Sequence, residues 1–141
     1  MPLLRRVESE AGTVAFAEEL ARSLPRGSVF AVHGDLGAGK TRFAAGVARA
    51  LGVRDAVSSP TFALVHEHAC PDGGRFLHLD LYRLGDESEV ADLGFPEMLD
   101  HCAAAVIEWP ERAGGLLPPA TRHVFIALVP DAPDARDISV E

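Results

Sequence analysis

Apolar residues in the first third of the chain recur at helical spacing and then as a continuous run. Over residues 10–24 they repeat three and four positions apart, which predicts an amphipathic helix with Ser9 as its N-cap. Residues 28–32 form a short apolar run of strand length, and residues 40–51 return to a helical pattern that ends at Gly52. Strand, glycine-rich turn and helix in this order are the opening half of an α/β unit.

The remaining apolar runs are short and separated by turn residues, which predicts further strands and short helices. Residues 61–70 and 75–81 are two strand-like runs with so short a connection that they must form an antiparallel hairpin. A four-residue loop between them would create two cross-strand pairs, Cys70 with Arg75 and Val65 with Asp80. The other predicted elements are strands over 3–7 and 103–107, helices over 86–93 and 96–101, and a C-terminal hairpin of 123–129 and 137–140 separated by 130–134.

The turn after residue 33 has the sequence of a phosphate-binding loop. Gly34-Asp35-Leu36-Gly37-Ala38-Gly39-Lys40-Thr41 matches G-x-x-x-x-G-K-[ST] without a gap. In such a loop the backbone N–H groups wrap a phosphate chain, the lysine reaches the β- and γ-phosphates, and the threonine hydroxyl is a Mg²⁺ ligand. We therefore expect a nucleotide to be held by Asp35, Leu36, Gly37, Ala38, Gly39, Lys40, Thr41 and Arg42.

Lys40 is the only lysine of the chain, beside twelve arginines, and the sequence contains no asparagine and no glutamine. A GC-rich genome explains the bias as a whole. Without asparagine the chain has no Asn-Lys-x-Asp motif for reading guanine, and without glutamine it has no water-orienting residue of the Ras type. The composition therefore favours ATP, with a carboxylate near the attacking water.

Two acidic residues end apolar runs and are candidates for the rest of the site. Asp80 follows the apolar residues 76–79 in the manner of a Walker-B aspartate, which helps to hold Mg²⁺. Glu108 ends the run 103–107, and acids at strand ends lie where α/β sheets bind ligands, so Glu108 is a candidate for positioning or deprotonating water. The alternatives are a strand-end aspartate without a role and a surface glutamate beside Trp109.

Bulk composition limits the class of protein. A net charge of −8 argues against a stand-alone nucleic-acid binder, so we expect no DNA contact. No apolar run approaches the ~20 residues of a membrane span, and residues 1–8 lack a signal-peptide pattern, so we expect a cytoplasmic protein without membrane association. We predict a single α/β P-loop NTPase domain over residues 1–141, with a mixed parallel and antiparallel sheet flanked by helices.

Four segments together resemble the TsaE family, the ATPases of bacterial tRNA threonylcarbamoyladenosine biosynthesis. They are the phosphate loop, Val57-Ser58-Ser59-Pro60-Thr61-Phe62, His78-Leu79-Asp80-Leu81-Tyr82-Arg83-Leu84 and Ile107-Glu108-Trp109-Pro110-Glu111. Their order and spacing agree with the family over about residues 11–118. The phosphate loop alone is not specific to this family, whereas the four segments in this order are.

The resemblance implies roles that spacing does not give. Thr61 would lie in a switch-like segment that senses the γ-phosphate or its Mg²⁺. The implied catalytic residues are Lys40, Asp80 and Glu108, and the implied metal-site residues are Thr41, Asp80 and Glu108. Trp109 is interpreted as core packing in preference to a role in the site.

The resemblance also implies partners. The chain would be a Mg²⁺-dependent ATPase that docks on the TsaB–TsaD heterodimer, where ATP binding and hydrolysis reset the assembly, and it would meet tRNA only through that complex. No arginine finger is evident within the chain, so we expect hydrolysis to be slow alone and stimulated by the partners.

Three other hypotheses remain open at the level of sequence. The chain could be a small-molecule or nucleoside kinase, although residues 111–141 offer only scattered arginines for a lid, or a nucleotide-dependent interaction module whose hydrolysis is incidental. His66, His68 and Cys70 alternate along one strand and could hold a metal, but no fourth ligand is evident, so structural roles are favoured.

Overall fold

The computed structural model describes residues 3–55, 57 and 64–141 of the chain. The predicted elements are confirmed to within about two residues, apart from the two hairpins discussed below. In chain order the elements are β1 (Leu3–Val7), α1 (Glu10–Arg22), β2 (Ser28–His33), α2 (Lys40–Ala50), β3 (Val65–Ala69), β4 (Arg75–Asp80), α3 (Glu87–Asp92), α4 (Phe95–Leu99), β5 (Ala104–Glu108), 3₁₀ turns at Pro110–Arg112 and Gly114–Leu116, β6 (Arg122–Val129) and β7 (Ala132–Val140).

The strands of the described residues form one seven-stranded sheet in the order β1-β7-β6-β2-β5-β4-β3. β2 is parallel to both β5 and β6, and β4 is parallel to β5. The pairs β1–β7, β6–β7 and β3–β4 are antiparallel, so the predicted mixed sheet is confirmed. Because β2, β5 and β4 are parallel neighbours, their carboxyl ends meet at one edge of the sheet, where ligands bind in α/β folds.

Helices pack on both faces of the sheet and divide the core in two. α1 and α2 cover one face, where Phe16 and Phe30 belong to the same buried cluster. α3 and α4 cover the other face, where Phe95 packs with Ile107 of β5. The α1–α2 face is the one that continues into the phosphate loop, because α2 begins directly after it.

The β3–β4 hairpin forms as predicted but with a different register. Ala69 lies opposite Arg75 and Val65 lies opposite Leu79, so the predicted pairs of Cys70 with Arg75 and of Val65 with Asp80 are wrong by one residue. Cys70 belongs to a five-residue loop, residues 70–74, in which Gly73 and Gly74 have positive φ angles of 99° and 80°. The backbone bonds Cys70 N–H to Gly74 and Gly73 N–H to Cys70 close this loop.

The C-terminal hairpin is longer than predicted. β7 begins at Ala132, opposite Val129, so the predicted loop over 130–134 is wrong and the turn consists of Pro130 and Asp131. The predicted loop was too long because the proline at position 133 is typical of a loop. A proline is tolerated here because it lies beside a register shift and outside the part of β7 that pairs with β1, residues 136–140.

Gly46 allows α1 and α2 to approach closely, and we expect Gly46→Ala to destabilise the fold. A Cβ atom at this position would lie 2.3 Å from the Val14 carbonyl oxygen and 2.6 Å from Cβ of Ala17. The resulting overpacking outweighs the helix propensity of alanine, so the free energy of unfolding should fall by about 1–3 kcal/mol in urea titrations. Gly85→Ala is the matched control, because its Cβ would meet only the Glu89 side chain at 3.4 Å. Equal stability of the two variants would contradict this packing.

Neither described segment, residues 3–55 or 64–141, contains a helix with the length and apolarity needed to cross a bilayer.

Candidate functional site

The phosphate loop connects β2 to α2, as the sequence predicted. Gly37 and Gly39 have φ angles of 82° and 106°, which residues with a side chain rarely adopt. Gly39 is the N-cap of α2 and has no side chain to cap it, so the N–H groups of the first helical turn face the loop. Such an N-terminus attracts anions through its N–H groups and its helix dipole.

Lys40 lies folded over the loop and is almost entirely buried, with 6% of its surface exposed. Its Nζ atom donates a hydrogen bond of 2.7 Å to the Gly34 carbonyl and lies 4.0 Å from the centroid of the Trp109 ring. Trp109 is half-buried and also contacts the Tyr82 ring, with 4.9 Å between centroids. The interpretation of Trp109 as core packing is therefore wrong: its ring lies against the lysine of the phosphate loop.

A cleft of about 230 Å³ opens beside Lys40. It is lined by Val32, His33, Gly34, Asp35, Lys40, Trp109 and Glu111. Lys40 is the cationic residue among these lining residues. The cleft therefore presents one ammonium group next to the backbone of the phosphate loop, as a phosphate site requires.

Glu108 is the acidic residue that reaches the phosphate loop. β5 is the direct neighbour of β2, and Oε2 of Glu108 accepts a hydrogen bond of 3.3 Å from the Thr41 hydroxyl. The same oxygen lies 2.6 Å from Nε2 of His78 on β4. Glu108 and His78 are 4% and 0% exposed, so they form a buried polar pair under the first turn of α2.

Asp80 lies one strand further from the loop than Glu108. Its Cα is the register partner of Glu108 across the β4–β5 pair, and its Oδ1 accepts a hydrogen bond of 3.0 Å from the Tyr82 N–H. The sequence assigned the Walker-B role to Asp80 and water positioning to Glu108. In the structure Glu108 contacts Thr41, and Asp80 lies beside Glu108 on the neighbouring strand. Both carboxylates therefore lie at the same edge of the sheet.

The other predicted site residues lie around the loop or outside the described residues. Asp35 and Leu36 are exposed at the tip, with Leu36 86% exposed, and the Asp35 carbonyl accepts a bond from Ala38 N–H. Arg42 is exposed on α2. Thr61 lies outside the described residues, so its role stays a prediction. The described residues contain no group of three His, Cys, Asp or Glu that could hold a metal, and His68 instead contacts Asp55.

His33 forms one wall of the cleft, directly before Gly34. Its Nε2 atom lies 3.0 Å from Nδ1 of His123, and its ring stacks on Phe125 at 4.4 Å. Burial lowers the pKa of His33, and the charge of a protonated His123 would lower it further. The imidazole is therefore neutral at pH 7 and leaves the positive charge of the cleft to Lys40.

Two residues to which the sequence assigned no role in the site contact it. His78 occupies the same face of β4 as Asp80, and only the strand order brings it to Glu108. Arg136 of β7 donates hydrogen bonds to the carbonyls of Gly37 and Ala38 in the phosphate loop. Alternation along residues 76–80 was a usable signal for His78, whereas Arg136, which lies between the predicted loop 130–134 and the predicted strand 137–140, gave no local signal.

The oxygen donors of this site suit a hard divalent cation. The Thr41 hydroxyl and a Glu108 carboxylate oxygen are within hydrogen-bond distance of each other at the N-terminus of α2. Hydroxyl and carboxylate oxygens are the ligands that Mg²⁺ takes in phosphate-loop proteins, together with phosphate and water. The residues present therefore fit a magnesium ion bound with a nucleotide.

The mixed sheet and the phosphate loop between β2 and α2 define this chain as an α/β protein of the P-loop NTPase class. The chain belongs to the TsaE family, because the family model described as threonylcarbamoyl adenosine biosynthesis protein TsaE matches residues 7–138. The resemblance inferred from the four sequence segments is thereby confirmed.

Relatives and a solved structure agree with this family. The tRNA threonylcarbamoyladenosine biosynthesis protein TsaE of Aquifex aeolicus is 44% identical over 116 residues, which are 79% of this chain and 81% of the relative. The TsaE proteins of Bacillus subtilis and Treponema pallidum are 38% and 35% identical over 90% and 91% of this chain, and over 77% and 92% of their own lengths. The crystal structure of Bacillus subtilis YdiB superposes with a TM-score of 0.80 at 29% identity, covering 99% of this chain and 84% of YdiB.

Proposed function

We propose that this chain is a cytoplasmic, Mg²⁺-dependent ATPase of tRNA threonylcarbamoyladenosine biosynthesis. The observation that carries the proposal is the meeting of Lys40, Thr41 and Glu108 at the phosphate loop of a TsaE-family chain. The loop argues for ATP hydrolysis, and the names of the relatives argue for the pathway.

Binding of ATP would rest on the loop backbone and Lys40. The loop N–H groups and the N-terminus of α2 favour negative charge, and Lys40 adds a compact ammonium group for the β- and γ-phosphates. Mg²⁺, held by Thr41 together with Glu108 or Asp80, would supply neutralising charge to the phosphate oxygens.

Hydrolysis would rest on Glu108 and its buried partner. An ionised carboxylate can only accept at Oε2, so Nε2 of His78 donates the 2.6 Å hydrogen bond and fixes the orientation of Glu108. A carboxylate held in this way beside Thr41 can orient a water molecule or accept its proton. Asp80, on the neighbouring strand, adds a second negative group to the metal side of the site.

We propose further that turnover depends on the TsaB–TsaD heterodimer, with tRNA reached only through that complex. Lys40 is the cation among the described residues that line the cleft, so this lining includes no arginine that could act as a finger. A charge supplied by a partner can raise phosphoryl transfer by about 10³–10⁵. Slow hydrolysis alone and faster hydrolysis with the partners follow from this arrangement.

Co-purification with TsaB and TsaD in ATP or ADP tests the proposal. We expect the amount of wild-type chain that co-purifies with TsaB and TsaD to differ between ATP and ADP. For Lys40→Ala the amount should be the same with either nucleotide. Phosphate release measured on the same samples should rise when the partners are added. Fast hydrolysis by the isolated chain that ignores TsaB and TsaD would contradict the model.

The kinase alternative is separated from hydrolysis by the fate of the γ-phosphate. With γ-labelled ATP, the proposed ATPase releases inorganic phosphate whether or not nucleosides are added. Transfer of the label to an added nucleoside or small alcohol would favour a kinase instead.

A further inference from the structure

The guanidinium group of Arg136 ties the C-terminal hairpin to the outside of the phosphate loop. Nε donates to the Ala38 carbonyl at 2.8 Å and Nη2 donates to the Gly37 carbonyl at 3.2 Å. Nη1 donates to the carbonyls of Pro133 and Ala135, at 2.7 Å and 2.6 Å, in its own strand. Two of these four hydrogen bonds reach the phosphate loop, and the other two hold the guanidinium group against its own strand.

These contacts fix which way two peptide groups of the loop point. In a trans peptide the carbonyl of one residue and the N–H of the next point in opposite directions. With the Ala38 carbonyl held on Arg136, the Gly39 N–H is turned to the opposite side, away from the hairpin. With the Gly37 carbonyl held there as well, the Ala38 N–H is directed at the Asp35 carbonyl, which it reaches at 3.0 Å.

A second contact fits the loop to the same hairpin. A Cβ atom on Gly34 would lie 2.8 Å from the Ile126 carbonyl oxygen, so β6 packs directly against the start of the loop. The hairpin therefore contacts the loop at two places, at its start through β6 beside Gly34 and in its middle through Arg136 at Gly37 and Ala38. Glycine alone cannot order such a loop, because it gives the backbone more freedom than any other residue.

We propose that Arg136 is a positioning residue for nucleotide binding, which sets the phosphate loop in its anion-binding conformation before the nucleotide arrives. The inference rests on the proposed function for the ligand, a nucleoside di- or triphosphate. The loop N–H groups bind the phosphates in substrate and product alike, so the contribution is to affinity rather than to the chemical step. Without Arg136 the loop loses its conformational freedom only when the nucleotide binds, and this entropy cost weakens binding.

The test compares Arg136→Ala with Arg6→Ala by calorimetric titration with ADP and a non-hydrolysable ATP analogue in Mg²⁺. Arg6 is the matched control, because it pairs with Asp137, the next residue of β7, and lies on β1 away from the loop. We expect affinity about tenfold weaker for Arg136→Ala, the loss typical of charged hydrogen bonds, and within about twofold of wild type for Arg6→Ala. KM for ATP should rise as much as affinity falls, with kcat nearly unchanged.

Two further measurements separate positioning from general stability. Arg136→Lys keeps the charge but cannot span both sets of carbonyls, so it should bind nucleotide almost as weakly as Arg136→Ala. Nuclear magnetic relaxation of the Gly37, Ala38 and Gly39 amides in nucleotide-free protein should reveal greater mobility in both Arg136 variants and not in Arg6→Ala. Wild-type affinity together with unchanged loop relaxation in the Arg136 variants would overturn the inference. Failure of wild type itself to bind nucleotide would overturn the proposed function, while the relaxation data would still decide the role of Arg136 in the loop.

Discussion

Replacing Lys40 with arginine should lower ATP turnover by about 10²–10³, the usual cost of removing one group that stabilises transition-state charge, while the chain still folds. Lys40 is 6% exposed and lies between the Gly34 carbonyl and the Trp109 ring, so the space is matched to a narrow ammonium group. The planar guanidinium of arginine is larger and presents its donors as a fork. It would hold the charge away from the position that a β- or γ-phosphate oxygen must occupy.

Steady-state phosphate release measures this loss, and urea unfolding checks the fold. The matched control is Arg49→Lys on the same helix, an exchange between the same two residue types at an exposed site whose ion pair with Glu18 is weak. That variant should turn over ATP like wild type. If Lys40→Arg also retained full activity, the lone lysine would be a product of base composition and not of the phosphate site.

Local pattern was enough to predict most of the elements. The apolar spacing over residues 10–24 and the Ser9 cap predicted α1, and the cap forms through the Gly12 N–H. These features depend on neighbours within a few positions, which the sequence displays directly. The prediction of the C-terminal hairpin failed because it too relied on local pattern: Pro133 indicates a loop locally, and the strand is possible only because Pro133 lies beside a register shift against β6 and outside the residues that pair with β1.

The arrangement of the site depended on strand order, which the sequence did not contain. The sequence placed both Asp80 and Glu108 at strand ends, but it could not say that β5 lies beside β2 while β4 lies one strand away. That order brings Glu108 to Thr41 and, through the β4–β5 register, His78 to Glu108. Arg136 escaped detection because it reaches the loop from 98 positions away along the chain.

Glu108→Gln should abolish most hydrolysis while leaving nucleotide binding and the fold nearly intact. Glutamine keeps the shape and a carbonyl oxygen that can accept from His78 and Thr41, so no buried donor loses its partner. It loses the negative charge that would orient water or accept its proton, a contribution typically about 10²–10⁴ in rate. Single-turnover phosphate release and calorimetric titration with ADP separate the two effects. Glu111→Gln is the control, because Glu111 lines the same cleft with a half-exposed carboxylate.

The same position decides whether turnover matters for tRNA modification. Glu108→Ala removes the carboxylate altogether and leaves Nε2 of His78 without its 2.6 Å partner, which costs about 1–3 kcal/mol of folding free energy. Glu108→Gln avoids that cost, so agreement between the two variants assigns the effect to the lost carboxylate and not to damaged packing. If hydrolysis is the resetting step, both variants should bind nucleotide and fail to sustain repeated rounds of threonylcarbamoyl transfer. Sustained transfer with hydrolysis absent would instead make this chain a nucleotide-dependent interaction module, in which Glu108 and His78 serve to hold the phosphate loop and its metal in place.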